Sequence, residues 1–120
     1  MYDVIIIGAG PAGLTAAIYT GRARLKTLIL EDNIVGGNAA VTDIIENYPG
    51  FPFGVNGADL IESFLKQAER FGAELRFEGA TSIEVVPEGK KVITSEGEYL
   101  ARVVIITAGA SRRELEVAGE

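Results

Sequence analysis

Val4-Ile5-Ile6-Ile7-Gly8-Ala9-Gly10-Pro11-Ala12-Gly13-Leu14 is the stretch on which the fold turns. Four apolar β-branched residues closed by a glycine have the form of a strand covered on both faces in a parallel sheet. Leu14, Ala17 and Ile18 then recur at helical spacing, and Pro11 suits a first helical turn, where its missing N–H has no partner to lose. The helix is predicted to run to about Arg22. Arg22, Arg24 and Lys26 gather at its C-terminal end, where positive charge complements the helix dipole. Thr27–Leu30 is a second short apolar strand, ending at Glu31, so residues 3–31 form one βαβ unit.

Beyond that unit, residues 32–57 show no sustained period and are broken by Gly36-Gly37, Pro49-Gly50 and Pro52. They read as a loop with at most a short helix, and a loop of that length in a compact domain is expected to be functional. Leu60, Ile61, Phe64, Leu65, Ala68 and Phe71 share one face of a second helix, over 58–72, with Asn56 or Asp59 as cap and Gly72 as stop. Glu74–Phe77 reads as a strand. Ser82–Val86, Lys91–Thr94 and Glu98–Arg102 read as strands of an antiparallel meander closed by Pro87-Glu88-Gly89 and Glu96-Gly97, so strand and meander occupy 74–102. Val103-Val104-Ile105-Ile106 is a second wholly apolar run, expected to return beside the first strand over 103–109. The fold class is α/β and Rossmann-like, with a parallel sheet and a small antiparallel β-meander.

The 120 residues suit one domain. Hydrophobic residues at 48% and charged residues at 23% are those of a packed globular chain. Cys and His are both absent, which excludes disulfides, thiolate nucleophiles, a Ser-His-Asp relay and zinc sites of the usual kind. No metal site is expected, no catalytic residue stands out, and the carboxylates do not pair into an acid/base couple. Demanding chemistry must therefore come from a bound cofactor. Eleven Lys+Arg against seventeen Asp+Glu give a net charge of −6, which disfavours nucleic-acid and membrane-surface partners. Gly8 stops the first apolar run too early for a signal peptide or a membrane span, and the expected location is the cytoplasm.

Gly8, Gly10 and Gly13 form a G-x-G-x-x-G string that follows a strand, opens a helix and lies in a βαβ unit ending in a carboxylate. Gly8 allows the tight turn, Gly10 lets backbone approach a pyrophosphate, and Gly13 removes a Cβ where helix and strand touch. Free N–H groups at the helix start hold the anion. Glu31 can accept hydrogen bonds from both hydroxyls of an adenosine ribose and repels a phosphate placed there, which disfavours NADP at this site. FAD and NAD both fit this spacing. Gly36-Gly37-Asn38 follows on the side where an extended cofactor would run, and Asn47 offers another amide. On their own these residues read equally as a flexible turn and a local cap.

Taken together, Val4–Ala17, Glu31, Gly36-Gly37-Asn38, Glu46-Asn47-Tyr48-Pro49-Gly50-Phe51-Pro52 and Thr107-Ala108-Gly109-Ala110-Ser111 resemble the N-terminal FAD-binding part of bacterial-type, low-molecular-weight thioredoxin reductase. The resemblance runs in register over nearly the whole chain. Asn38 stands where the family usually has Gln, and Thr107-Ala108-Gly109 where it has Ala-Thr-Gly. The resemblance implies that Gly8, Gly10, Pro11, Ala12 and Gly13 surround the FAD pyrophosphate and that Glu31 holds the AMP ribose. It implies that Gly36, Gly37, Asn38 and Asn47 lie along the ribityl and flavin side, that backbone near Ile83 borders the adenine, and that Ala108 and Gly109 pass close to the cofactor.

Members of that family pass electrons from NADPH to FAD and then to a Cys-x-x-C pair in an inserted domain, and so to thioredoxin or a similar redox protein. Neither the cysteines, the second glycine loop nor the closing FAD segment occurs here. The expectation is an FAD-binding fragment, with NADPH bound only through the missing domain, inactive by itself, and either homo-oligomeric through the apolar strand at 103–106 or a weak holder of FAD. A thioredoxin-reductase-like ferredoxin-NADP reductase and a non-catalytic dinucleotide-binding module are the alternatives.

Overall fold

The computed structural model describes residues 1–109. Its elements in chain order are β1 (Tyr2–Ile7), α1 (Pro11–Arg22), β2 (Thr27–Leu30), a 3₁₀ turn (Gly37–Val41), α2 (Gly57–Arg70), β3 (Glu74–Arg76), β4 (Ala80–Val86), β5 (Gly89–Thr94) and β6 (Glu98–Ile106). The strands form one sheet in the order β3-β2-β1-β6-β5-β4. β1 pairs in parallel with β2 on one side and β6 on the other, while β4, β5 and β6 make the antiparallel meander.

Alternation along β1 explains why it is apolar throughout. Val4 and Ile6 face α1 and α2, packing with Ile29, Leu14, Ala17, Ile61 and Ala68. Ile5 faces the opposite side with Leu28, Leu30, Val92 and Ala101. Both faces are thus out of water, as a strand in a doubly covered sheet requires. One helix layer lies on the first face, and the meander lies over the second.

The structure joins two segments that the sequence divides. The meander strand read at Glu98–Arg102 and the return strand read at Val103–Ile106 are one strand of nine residues. Its first half pairs with β5 and its second with β1, and Ala101 takes part in both pairings. No turn residue interrupts it, and Arg102 is simply an exposed position within the strand. The second helix also starts one residue earlier and ends two residues earlier than the apolar pattern suggests, with Asn56 Oδ1 accepting from the Asp59 N–H at 3.1 Å as its cap.

The long loop is less irregular than its composition implies. Besides the 3₁₀ turn it carries a bridge between Ile45 and Val55, and the Gly57 N–H donates to the Thr42 carbonyl at 3.0 Å. A Cβ at Gly57 would collide with the Ala39 and Thr42 carbonyls, so loop and α2 meet backbone to backbone. No helix among the described residues is long and apolar enough to cross a membrane.

Candidate functional site

The C-terminal ends of β1, β2 and β6 open onto one cleft, as expected where a parallel sheet presents its carboxyl edge. Its volume is about 990 Å³, and it runs from the start of α1 past the end of β2 to the 3₁₀ turn. Gly10, Pro11, Ala12, Glu31, Gly36, Gly37, Asn38, Ala108 and Gly109 line it, together with Asp32, Asn33, Ile34 and Thr107.

Each glycine of the loop has its own geometric reason. Gly8 has φ +102°, and a Cβ there would meet the Thr107 carbonyl. A Cβ at Gly13 would collide with the Gly8 carbonyl and come within 2.6 Å of Thr107 Oγ1, so Gly8 and Gly13 are buried packing positions. Gly10 is the opposite case: nothing lies within 4 Å of where its Cβ would stand. The helix that begins there has no side-chain cap and no acidic residue in its first turn. Its free N–H groups and dipole therefore face the cleft unobstructed, which is the arrangement that binds a phosphate. Among the described residues no Lys or Arg lines the cleft, and there the backbone donors would carry that task.

Glu31 is buried at the end of β2, and its carboxylate turns toward the glycine loop. Oε1 accepts the Ala9 N–H at 2.8 Å and Oε2 accepts the Asn33 N–H at 2.9 Å. Two backbone donors hold the group in place, and each oxygen keeps a lone pair for a further donor such as a sugar hydroxyl. A negative, acceptor-only group beside the diphosphate seat suits an unphosphorylated ribose. The cleft thus fits the adenosine diphosphate portion of FAD on its own chemistry: a bare cradle at Gly10, free helix N–H groups and a fixed carboxylate.

Gly36 and Gly37 extend the site. The Gly36 N–H donates to the Ala9 carbonyl at 2.7 Å, which ties the second glycine pair to the first loop. Gly36 has φ +97° and packs against Ile61 and Ala40, whereas Gly37 is open toward the cleft. Asn38 follows at the start of the 3₁₀ turn, exposed on the cleft wall.

Besides the packed Gly8 and Gly13, two expected positions lie apart from the cleft lining. Asn47 is exposed on the loop beyond the 3₁₀ turn, and the neighbouring Tyr48 ring packs on Phe64 of α2 at 5.7 Å. Ile83 lies in β4, the far edge strand of the sheet. Ala110 and Ser111 of the quoted motif fall outside the described residues.

Thr107 is the functional residue that the sequence reading omits. Its hydroxyl lies 3.0 Å from both the Ile7 and Gly8 carbonyls, and its N–H donates to the Ile7 carbonyl at 2.8 Å. It fastens the end of β6 to the glycine turn. The available signal was the register: once β6 is set beside β1 with Ile106 opposite Ile7, the next residue must abut Gly8. Asp32 and Asn33 were likewise visible as the residues directly after Glu31.

The model of the pyridine nucleotide-disulphide oxidoreductase family matches residues 2–120. The chain is 48% identical over 120 residues to thioredoxin reductase of Bacillus subtilis, covering all of this chain and 38% of that protein. It is 46% identical over 121 residues to the bifunctional thioredoxin reductase/thioredoxin of Mycobacterium leprae, of which it covers 26%. Among solved structures, Lactococcus lactis thioredoxin reductase superposes with a TM-score of 0.94 at 43% identity, over the whole of this chain and 39% of that one. The chain spans between about a quarter and two-fifths of these relatives' length. Loop, carboxylate, sheet order and full-length family match agree: the chain belongs to the pyridine nucleotide-disulphide oxidoreductase family, in which it corresponds to the N-terminal FAD-binding part of bacterial-type thioredoxin reductases.

Proposed function

We propose that this chain is the FAD-holding part of a flavoprotein disulfide reductase that draws electrons from NADPH and delivers them to thioredoxin or a similar redox protein. Bound FAD would supply the two-electron chemistry that a chain without Cys or His lacks. The chain's own residues bind and orient. Gly10, Ala12 and Gly13 present backbone N–H groups to the diphosphate, with Gly8 and Pro11 shaping the turn. Glu31 takes the ribose hydroxyls. Gly36, Gly37 and Asn38 extend the wall along the ribityl side, and Ala108 and Gly109 close it from β6. Asn47 and the backbone near Ile83 stay with this reading as contacts made in the holoprotein. NADPH and the redox-active disulfide belong to parts of such an enzyme that this chain does not contain.

The observation that carries the reading is the Glu31 carboxylate, buried and held by Ala9 and Asn33 beside an uncapped helix start. Titration of the purified chain with FAD, NAD and NADP tests it. FAD should bind most tightly, and Glu31→Ala should weaken it at least tenfold, since hydrogen bonds to a charged acceptor are lost. Absence of saturable FAD binding, or tighter binding of NADP, would sink the proposal.

A further inference from the structure

Behind the cleft a second polar cluster links β1, β3, β5 and β6, and Glu78 and Thr94 are its buried members. Glu78 Oε1 accepts from Thr94 Oγ1 at 2.8 Å and its Oε2 from the Tyr99 hydroxyl at 2.6 Å. Arg76 Nη1 donates to that same Tyr99 hydroxyl at 3.2 Å, and Arg76 Nε donates to Glu74 at 3.0 Å. A buried ionic group often adds little stability over an apolar side chain of similar size.

The cluster adjoins the cleft. Glu78 sits in the connection from β3 to β4, between Arg76 and Gly79. The Arg76 carbonyl accepts the Glu31 N–H at 3.1 Å. Gly79 lies so close to Asp32 that a Cβ there would stand 3.0 Å from the Asp32 Cβ. Glu31 and Asp32 are therefore pressed from behind by the two residues that flank the Phe77-Glu78 corner, while Ala9 holds Glu31 from the front.

Resting on the FAD reading above, we propose that Glu78 is a positioning residue for the adenosine end of the cleft: clamped by Thr94 and Tyr99, it seats the Arg76–Gly79 corner against Glu31 and Asp32. The site requires a group that only accepts. Thr94 Oγ1 already accepts the Glu96 and Gly97 N–H groups at 3.0 and 3.1 Å, and Tyr99 already accepts from Arg76. An amide NH₂ facing Thr94 would meet a hydroxyl oxygen that already accepts two N–H groups, and one facing Tyr99 would compete with Arg76 for the same phenol oxygen. In keeping with this, the bond to Glu78 holds the Tyr99 phenol above its ordinary pKa.

The full chain, freed of cofactor, is titrated with FAD, and bound FAD is then displaced with ADP and with 2′-deoxy-ADP. The unaltered chain should prefer ADP by about tenfold, because Glu31 takes a ribose hydroxyl. Glu78→Gln should weaken FAD by about tenfold and shrink the preference to about twofold, as the Glu31 carboxylate loses its fixed position. Tyr99→Phe, which keeps the edge-to-face contact with the Tyr2 ring, should act in the same direction and serves if Glu78→Gln does not fold. Unchanged FAD affinity in both folded variants, or weaker FAD with the full ADP preference kept, would overturn the role of Glu78 while leaving the FAD reading intact. An unaltered chain that binds neither FAD nor ADP would overturn both.

Discussion

At Gly13 a single methyl group is enough to close the glycine loop, because it would run into the Gly8 carbonyl. Gly10, three residues earlier, has open space and an ordinary backbone with φ −78°. The two positions therefore separate folding from binding. Gly13→Ala should destabilise the chain by about 1–3 kcal/mol, the usual cost of overpacking, seen as a lower urea midpoint. Gly10→Ala should leave that midpoint within about 0.5 kcal/mol and lower FAD affinity at least tenfold, since its methyl group enters the diphosphate seat. Equal loss of stability in both would contradict the distinction. At the same scale, burial and a 2.6 Å hydrogen bond to Glu74 push the Tyr2 phenol up to about 12. A pKa raised in the folded state contributes stability below pH 10 that is lost as the pH climbs from 10 toward about 12. Glu74 is held below its ordinary value, chiefly by the same bond, so its contribution is present above the ordinary carboxylate range and lost as the pH falls through its lowered pKa. Tyr2→Phe should flatten the alkaline loss, measured as urea midpoints across that window.

Helices and strands raise a different question, namely what stops them. α1 ends through Arg24, which among the described residues is the one other than glycine with positive φ, at +62°. Its N–H donates to the Gly21 carbonyl at 2.9 Å, a left-handed helix end that glycine fills without steric cost. Arg24→Gly should stabilise the chain by up to about 1 kcal/mol in urea denaturation, with FAD binding unchanged, because the turn is remote from the cleft. Sequence periodicity located α1 and α2 well, since each buries a stripe that repeats every three or four residues. It could not join Glu98–Ile106 into one strand. Exposed Arg102 breaks the apolar run without breaking the backbone pairing, and pairing partners are not visible along the chain.

Considered as a whole, the molecule has one unfinished side. Among the described residues β6 pairs with β5 only as far as Ala101, so from Val103 to Ile106 it has β1 on one side and no described strand on the other. Val103 is 50% exposed and Ile106 66% exposed. Unpaired apolar edges of this kind associate. The chain by itself is expected to self-associate in a concentration-dependent way in light scattering, and Ile106→Lys, a charge on that edge, should shift it toward monomer. A monomer at every concentration would remove this expectation.

Much of the proposed nucleotide site is local and so was legible from residue order. Gly8, Gly10, Gly13 and Glu31 belong to one βαβ unit, whose handedness and packing place the end of β2 beside the start of α1 wherever such a unit folds. Residues brought in from farther along the chain were not legible in this way. Thr107 reaches Gly8 only through parallel pairing across most of the sequence, Arg76 reaches Glu31 only because β3 docks beside β2, and Glu78 meets Thr94 and Tyr99 only because the meander folds back over the sheet. Side-chain chemistry and short spacing are properties of order along the chain, whereas contacts between distant strands depend on register. Register is set by how both faces of the sheet are buried together, and it exists only once the chain has folded.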